Sequence, residues 1–169
     1  RKTVELAVKK GVAIGAHPSY PDLQGFGRRN MEIPSQEVFD IVLYQIAALK
    51  GITESLGGRL NHVKPHGALY NRAAKDAATA AAIARAVLNL DPTLLLVGLS
   101  GSTSMVEAER LGLMAASEAF ADRTYQADGT LTPRTEPNAL INDPEAAASQ
   151  AVTMVRDRSV TAITGERIA

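Results

Sequence analysis

An alternation constrains this chain more than any other feature. Val12–Ala16, Leu60–Lys64, Thr93–Gly98 and Leu113–Ser117 are short apolar runs, and each is followed by a polar loop and then a stretch of helical spacing. Runs this short, bounded by glycine, proline and polar residues, read as buried strands, whereas the helical stretches place apolar residues three and four apart. Repeated strand–loop–helix order predicts a parallel sheet with right-handed crossovers, hence an α/β fold. With 169 residues and no linker-like segment, the chain reads as a single α/β domain over 1–169.

The helical stretches are predicted at 1–10, from Ser35 to about Leu56, at 68–74, 76–90 and 102–111, and from Asp143 to about Asp157. In the second, Val38, Ile41, Val42, Ile46 and Leu49 mark one face, Ser35 is the expected N-cap and Gly57-Gly58 the expected stop. Asp143-Pro144 reads as an N-cap followed by proline in the first helical position. A small hairpin is expected over 160–168 around Thr164-Gly165.

The chemistry-bearing residues collect at one place in this pattern. The loops at the carboxyl ends of the predicted strands hold His17-Pro-Ser-Tyr-Pro-Asp22, Lys64-Pro-His-Gly67, Ser100-Gly-Ser102 and Glu118-Ala-Phe-Ala-Asp-Arg-Thr-Tyr125. Both open α/β sheets and closed α/β barrels carry their sites at that end. All three histidines, His17, His62 and His66, fall at or beside strand ends, although loops collect polar residues for solvation alone. His62 and Lys64 are two apart and share one face of their strand, with Val63 on the other. A lysine beside a histidine at a strand mouth suits an anion or a proton-transfer site; alternatively the lysine stem lies along apolar surface with its charge in water.

Gly25-Phe-Gly-Arg-Arg29 can wrap a carboxylate or phosphate with backbone N–H groups and guanidinium forks, or can be a turn with solvated arginines. The segment 118–142 exceeds an ordinary connection and suggests a functional loop. Within it Glu118 and Asp122 are candidates for a general base or a metal ligand, or for ion pairs with Arg123 or Arg134. His17, His62 and His66 are the candidate ligands if a divalent metal is used.

Several functions are disfavoured. Eighteen Lys+Arg balance eighteen Asp+Glu, so no basic excess exists to neutralise a nucleic-acid backbone. The absence of cysteine removes disulfides, thiolate zinc sites and cysteine nucleophiles, and fits a cytoplasmic protein. No apolar stretch approaches the length of a membrane span. The P-loop pattern, the Gly-x-Ser-x-Gly elbow and the His-Glu-x-x-His zinc motif are all missing.

At these same stretches the chain resembles the LamB/YcsF family. The segments that carry the resemblance are GVAIGAHPSYPDLQGFGRRNM (11–31), HVKPHGALYN (62–71), SEAFADRTYQADGTLTPR (117–134) and EPNALI (136–141). The resemblance implies a (β/α)7 barrel-like fold of the glycoside hydrolase/deacetylase type. It also implies ATP-dependent cleavage of 5-oxo-L-proline to L-glutamate, with ADP and phosphate released, by an A-subunit that works with 5-oxoprolinase subunits B and C. The family's Asp/Asn-rich first strand, its Cys-Gly-x-His-Ala-Gly segment and its late His-Gly-Asp do not occur here. The chain is therefore expected to be the central part of a longer domain, truncated at both ends. The sheet would then keep an open edge that invites pairing with another copy.

For such chemistry Lys64 with Arg28 or Arg29 is expected to hold the anionic substrate or a phosphate, and His66, His17 or Asp122 to move protons. His62, Glu118, Arg123, Tyr125 and Arg134 complete the expected substrate-binding set. The rival readings are a metal-dependent amide or deacetylase-type hydrolase and a non-catalytic subunit that binds a lactam or carbohydrate.

Overall fold

A computed structural model describes residues 1–168. The element order is α1 (Lys2–Lys10), β1 (Ile14–Ala16), α2 (Ser35–Glu54), β2 (Leu60–Val63), α3 (Gly67–Ala73), α4 (Ala77–Leu90), β3 (Leu95–Leu99), α5 (Thr103–Arg110), β4 (Ala115–Glu118), α6 (Pro144–Asp157), β5 (Val160–Thr161) and β6 (Arg167–Ile168). Strands β1 to β4 form one sheet in sequence order, so β1 and β4 are its edges, and β5 pairs with β6 in a separate hairpin. β1, β2 and β3 run parallel. The Leu96 N–H donates to Met114 O and the Ser100 N–H to Glu118 O, and this constant stagger makes β4 parallel as well.

The chain divides into two compact units. The first comprises Arg1–Gly98 with Ser102–Ser117, and the second comprises Leu99–Gly101 with the chain from Glu118 onward. No described helix is long and apolar enough to cross a membrane.

The core of the first unit lies between the sheet and a layer of helices. Val38, Val42 and Ile46 line one face of α2, while Ala16, Leu60, Val63 and Leu96 supply the sheet side. Helix α4 packs against α2, α3 and α5. Its Ala80, Ala82, Ala84 and Ala86 are all buried, so the alanine run does more than favour helix: small side chains let three neighbours approach one helix. The start of α2 differs from expectation. Pro34 is the N-cap, Ser35 already lies inside the helix, and no side chain caps the end. The Val38 N–H donates to Pro34 O at 3.0 Å, so the helix begins one residue earlier than expected and Ser35 falls in its first turn. Asp143 does cap α6, its carboxylate accepting the Glu145 N–H at 3.1 Å.

One irregularity positions the site. Ile14 pairs with Leu60 but Gly15 pairs with His62, so the register slips past Asn61. A bulge of this kind re-aims the residues beyond it. Leu60 and Val63 both reach the core, while His62 is half-buried. A Cβ on Gly15 would fall on the His62 imidazole, so only glycine at position 15 lets that ring lie across β1.

Candidate functional site

The carboxyl ends of β1 and β2 bring His17, Lys64 and His66 together. The segments after the two strands are laced to each other, the Lys64 N–H donating to Ala16 O at 2.9 Å and the His66 N–H to Pro18 O at 2.8 Å. His17 Nδ1 lies 2.5 Å from Lys64 O, His17 Nε2 lies 3.0 Å from His66 Nδ1, and His66 Nε2 lies 2.8 Å from Phe26 O. The two imidazoles meet edge-on with centroids 4.8 Å apart, and the Phe26 ring meets His66 edge-on at 5.1 Å. His17 is exposed and His66 half-buried. The Lys64 Nζ lies 6.0 Å from the centroid of the Tyr70 ring, at the outer limit of a cation–π contact.

Gly67 is what lets this arrangement close. Its φ is +58°, and a Cβ there would strike the Gly27 carbonyl. That carbonyl accepts the Ala68 N–H at 2.9 Å, which stitches the start of α3 to the glycine-rich loop. From the opposite side Gln45 on α2 grips Ser19, with Oε1 accepting the Ser19 N–H at 3.1 Å and Nε2 donating to Ser19 O at 2.8 Å.

The glycine-rich loop does wrap a carboxylate, and that carboxylate is Asp22. The buried Asp22 accepts the Gly25 N–H at 2.9 Å, the Arg29 N–H at 3.3 Å and the Arg29 Nε–H at 2.9 Å, with Arg29 Nη2 also on it. The Arg29 guanidinium, helped by these two backbone N–H groups and opposed by burial, holds the Asp22 carboxyl down at about 2. Arg29 is thus tied to its own loop. The Gly25, Gly27 and Arg29 N–H groups donate to Asp22 and those of Phe26 and Arg28 to Leu23 O and Gly25 O, so the loop's N–H groups are spent within it and build no phosphate cradle. Arg28 is exposed, with its guanidinium 5.5 Å from the Phe26 ring centroid. Phe26 itself is 68% exposed and holds φ +54°, a left-handed conformation that side chains other than glycine adopt at a cost.

His62 Nδ1 contacts Asn61 Oδ1 at 3.1 Å. In this arrangement the four ring nitrogens of His17 and His66 face two carbonyls and each other. No group of three or more His, Asp or Glu side chains placed to hold a metal occurs among the described residues.

The second unit holds the other expected residues. Arg123 is 5% exposed and donates from Nε to Ala139 O at 3.1 Å and from Nη2 to Thr132 O at 2.6 Å. Tyr125 is buried, and its hydroxyl accepts the Phe120 N–H at 2.7 Å; burial raises its pKa above the usual phenol value. These two side chains hold the long loop in shape from within. Asp122 and Arg134 are exposed and Glu118 is half-buried. The sequence reading missed Gln150, whose Nε2 lies within 3.0 Å of the carbonyls of Phe120, Ala121 and Arg123 and fastens the loop to α6. Gln45 and Gln150 share a legible signal, a polar residue on a helical stripe of otherwise apolar or small ones: Val42-Gln45-Leu49 and Ala147-Gln150-Met154.

Comparison with known proteins supplies the family. The chain is 58% identical over 166 residues to the 5-oxoprolinase A-subunit of Tolumonas auensis, covering 98% of this chain and 66% of that protein. It is 56% identical over 169 residues to the 5-oxoprolinase A-subunit of Geobacillus kaustophilus, covering 100% of this chain and 66% of that protein. The chain therefore spans about two thirds of the length of these relatives. Among solved structures it is similar to the lactam utilization protein of Thermus thermophilus, with a TM-score of 0.89 and 49% identity over 99% of this chain and 68% of that one. The model of the LamB/YcsF family matches residues 1–169, and the chain belongs to that family.

Proposed function

We propose that this chain carries the ring-opening site of a 5-oxoprolinase, acting on 5-oxo-L-proline as the A-subunit together with partner subunits B and C in the cytoplasm. The observation that carries the reading is the gathering of His17, His66 and Lys64 behind the carboxyl ends of β1 and β2. The names borne by the relatives support the choice of substrate. A lactam is a poor electrophile, and opening it poses two electrostatic problems. Negative charge gathers on the carbonyl oxygen when water adds, and the ring nitrogen must take a proton as the carbon–nitrogen bond breaks. Lys64 answers the first with a cation at the strand end, and the imidazole pair answers the second. Arg28, exposed beside Phe26, is suited to the substrate carboxylate. The overall reaction is read as ATP-dependent, although the loop around Asp22 offers no phosphate cradle.

We also read the four-stranded sheet as part of a (β/α)7 barrel-like sheet. The half-exposed face bearing His62, Leu95 and Val97 would then turn inward, and the edges β1 and β4 would pair onward.

The test is glutamate and phosphate release from 5-oxoproline and ATP by the complete protein with its partner subunits. Coupled release that stops when this protein is omitted is expected. Lys64→Ala is expected to lower kcat by about 10²–10³-fold, the usual loss for one electrostatic group, while leaving the urea unfolding midpoint in place. Unchanged turnover in Lys64→Ala removes the role given to Lys64.

A further inference from the structure

Phe26 holds a backbone conformation that its own side chain opposes. Its φ is +54°, in the left-handed region where a Cβ crowds the following carbonyl. Glycine takes this conformation freely and stands on both sides, at 25 and 27, yet position 26 carries an aromatic residue. The backbone around it is tied. The Phe26 N–H donates to Leu23 O at 3.3 Å, the Gly27 N–H donates to Asp22 O at 2.8 Å, and Phe26 O lies 2.8 Å from His66 Nε2. Burial does not offset the cost, because Phe26 is 68% exposed while Tyr20, on the same loop, is 2% exposed. A strained backbone that holds an exposed aromatic ring beside a cluster of polar groups points to a ligand that uses the ring.

The ring's neighbours say what kind of ligand. His66 meets it edge-on, with centroids 5.1 Å apart and the planes at 86°, and the Arg28 guanidinium lies 5.5 Å from its centroid. Arg29 is spent on Asp22, which leaves Arg28 as the loop's fork for an anion. An apolar ring beside a guanidinium suits a small flat molecule with one carboxylate: the ring covers the plane and the fork takes the carboxylate. We propose that Phe26 recognises the ring of the substrate, covering the flat amide of 5-oxoproline while Arg28 takes its carboxylate, and that the left-handed backbone at position 26 is kept for this contact. The assignment rests on the ring-opening function proposed above. Because His66 meets the same aromatic ring, a lactam held on Phe26 lies beside the imidazole pair. The contact forms when the substrate binds and persists as the lactam opens, so it acts on binding rather than on the chemical step.

The experiment compares Phe26→Gly, Phe26→Tyr and Arg28→Gln with wild type in the complete protein, by urea unfolding and by steady-state kinetics with partner subunits at saturation. Phe26→Gly is expected to raise KM for 5-oxoproline by about 10-fold, the loss of one aromatic contact, with kcat within about twofold of wild type and KM for ATP unchanged. Its unfolding midpoint is expected to be no lower than that of wild type, because glycine relieves the backbone. Phe26→Tyr keeps both the ring and the strain, so it is expected to keep the wild-type KM. Arg28→Gln is expected to raise KM for 5-oxoproline as well, and an unchanged KM there removes the role given to Arg28. An unchanged KM for 5-oxoproline in Phe26→Gly overturns the assignment, as does a rise in KM for ATP instead. A lowered midpoint in Phe26→Gly also overturns it, since the ring would then be packing within the folded chain. So does a greater requirement for the partner subunits with KM unchanged, which would make Phe26 a subunit contact. Should the wild-type assembly neither bind nor open 5-oxoproline, the proposed function falls and the assignment with it; wild-type turnover beside an unaltered Phe26→Gly overturns the assignment alone.

Discussion

Replacing Gly67 by alanine tests whether the site is held by a close backbone approach. Gly67 has φ +58°, and a Cβ would press into the Gly27 carbonyl. Gly57 has φ +73° and no atom within 4 Å of where its Cβ would sit. Both alanines incur the left-handed conformation, at about 1–2 kcal/mol. Only Gly67→Ala must also push back the Gly27 carbonyl, which weakens the 2.9 Å bond from the Ala68 N–H. Such a bond contributes roughly 0.5–1.5 kcal/mol, and the forced backbone shift adds about 1 kcal/mol. The expectation is therefore a loss of about 1–2 kcal/mol for Gly57→Ala and about 2.5–4.5 kcal/mol for Gly67→Ala, the sum of these increments. Urea unfolding of the two variants beside wild type measures the difference, and histidine resonances report whether His66 moves only in Gly67→Ala. Equal losses in the two variants would refute the close-approach reasoning, because conformational cost alone would then account for both.

Other perturbations follow the same logic. Ile46 has no exposed surface, so Ile46→Val is expected to cost about 0.5–1.5 kcal/mol and Ile46→Ala about 2–5 kcal/mol in urea unfolding. Arg123→Met leaves the Ala139 and Thr132 carbonyls without their guanidinium donor. A loss of about 2–4 kcal/mol is expected, seen as faster hydrogen exchange at the Thr124 and Thr132 amides, whose bonds to Ala139 O and Thr124 O the guanidinium braces. Asp22 has its carboxyl lowered from 3.8 to about 2 on folding. Its contribution is therefore complete above pH about 4 and is lost as pH falls towards 2. The stability advantage of wild type over Asp22→Asn should accordingly shrink across that window; an advantage that stays constant from pH 5 to about 2 contradicts the assignment.

Much of the fold was legible because hydrophobic period is a local signal. The four predicted strands sit within two residues of β1 to β4, and the predicted helices match α1 to α6 closely. The Asp143-Pro144 start of α6 was readable from two adjacent residues, whereas the Ser35 cap failed because Pro34 O already accepts the first helical hydrogen bond, from the Val38 N–H. Clustering of His17, His66 and Lys64 was also legible, since each follows a strand end. Their pairing was not. It depends on a register slip at Asn61, on the left-handed backbone of Phe26, and on Gly67 meeting Gly27 from a distant part of the chain. The roles of Arg29 and Arg123 were hidden for a related reason: a guanidinium that binds a carboxylate or carbonyls in its own loop reads, in one dimension, like one waiting for a ligand.

The fit of His62 across Gly15 also makes the order of change matter. As long as the His62 ring lies across β1, an alanine at 15 must displace it to place its methyl group. Were position 62 reduced to a small residue first, the same alanine would fill vacated space. Two substitutions that a lineage can accept in one order require a displaced ring in the other, so the two positions are expected to vary as a linked pair, with glycine at 15 wherever the ring is kept across β1.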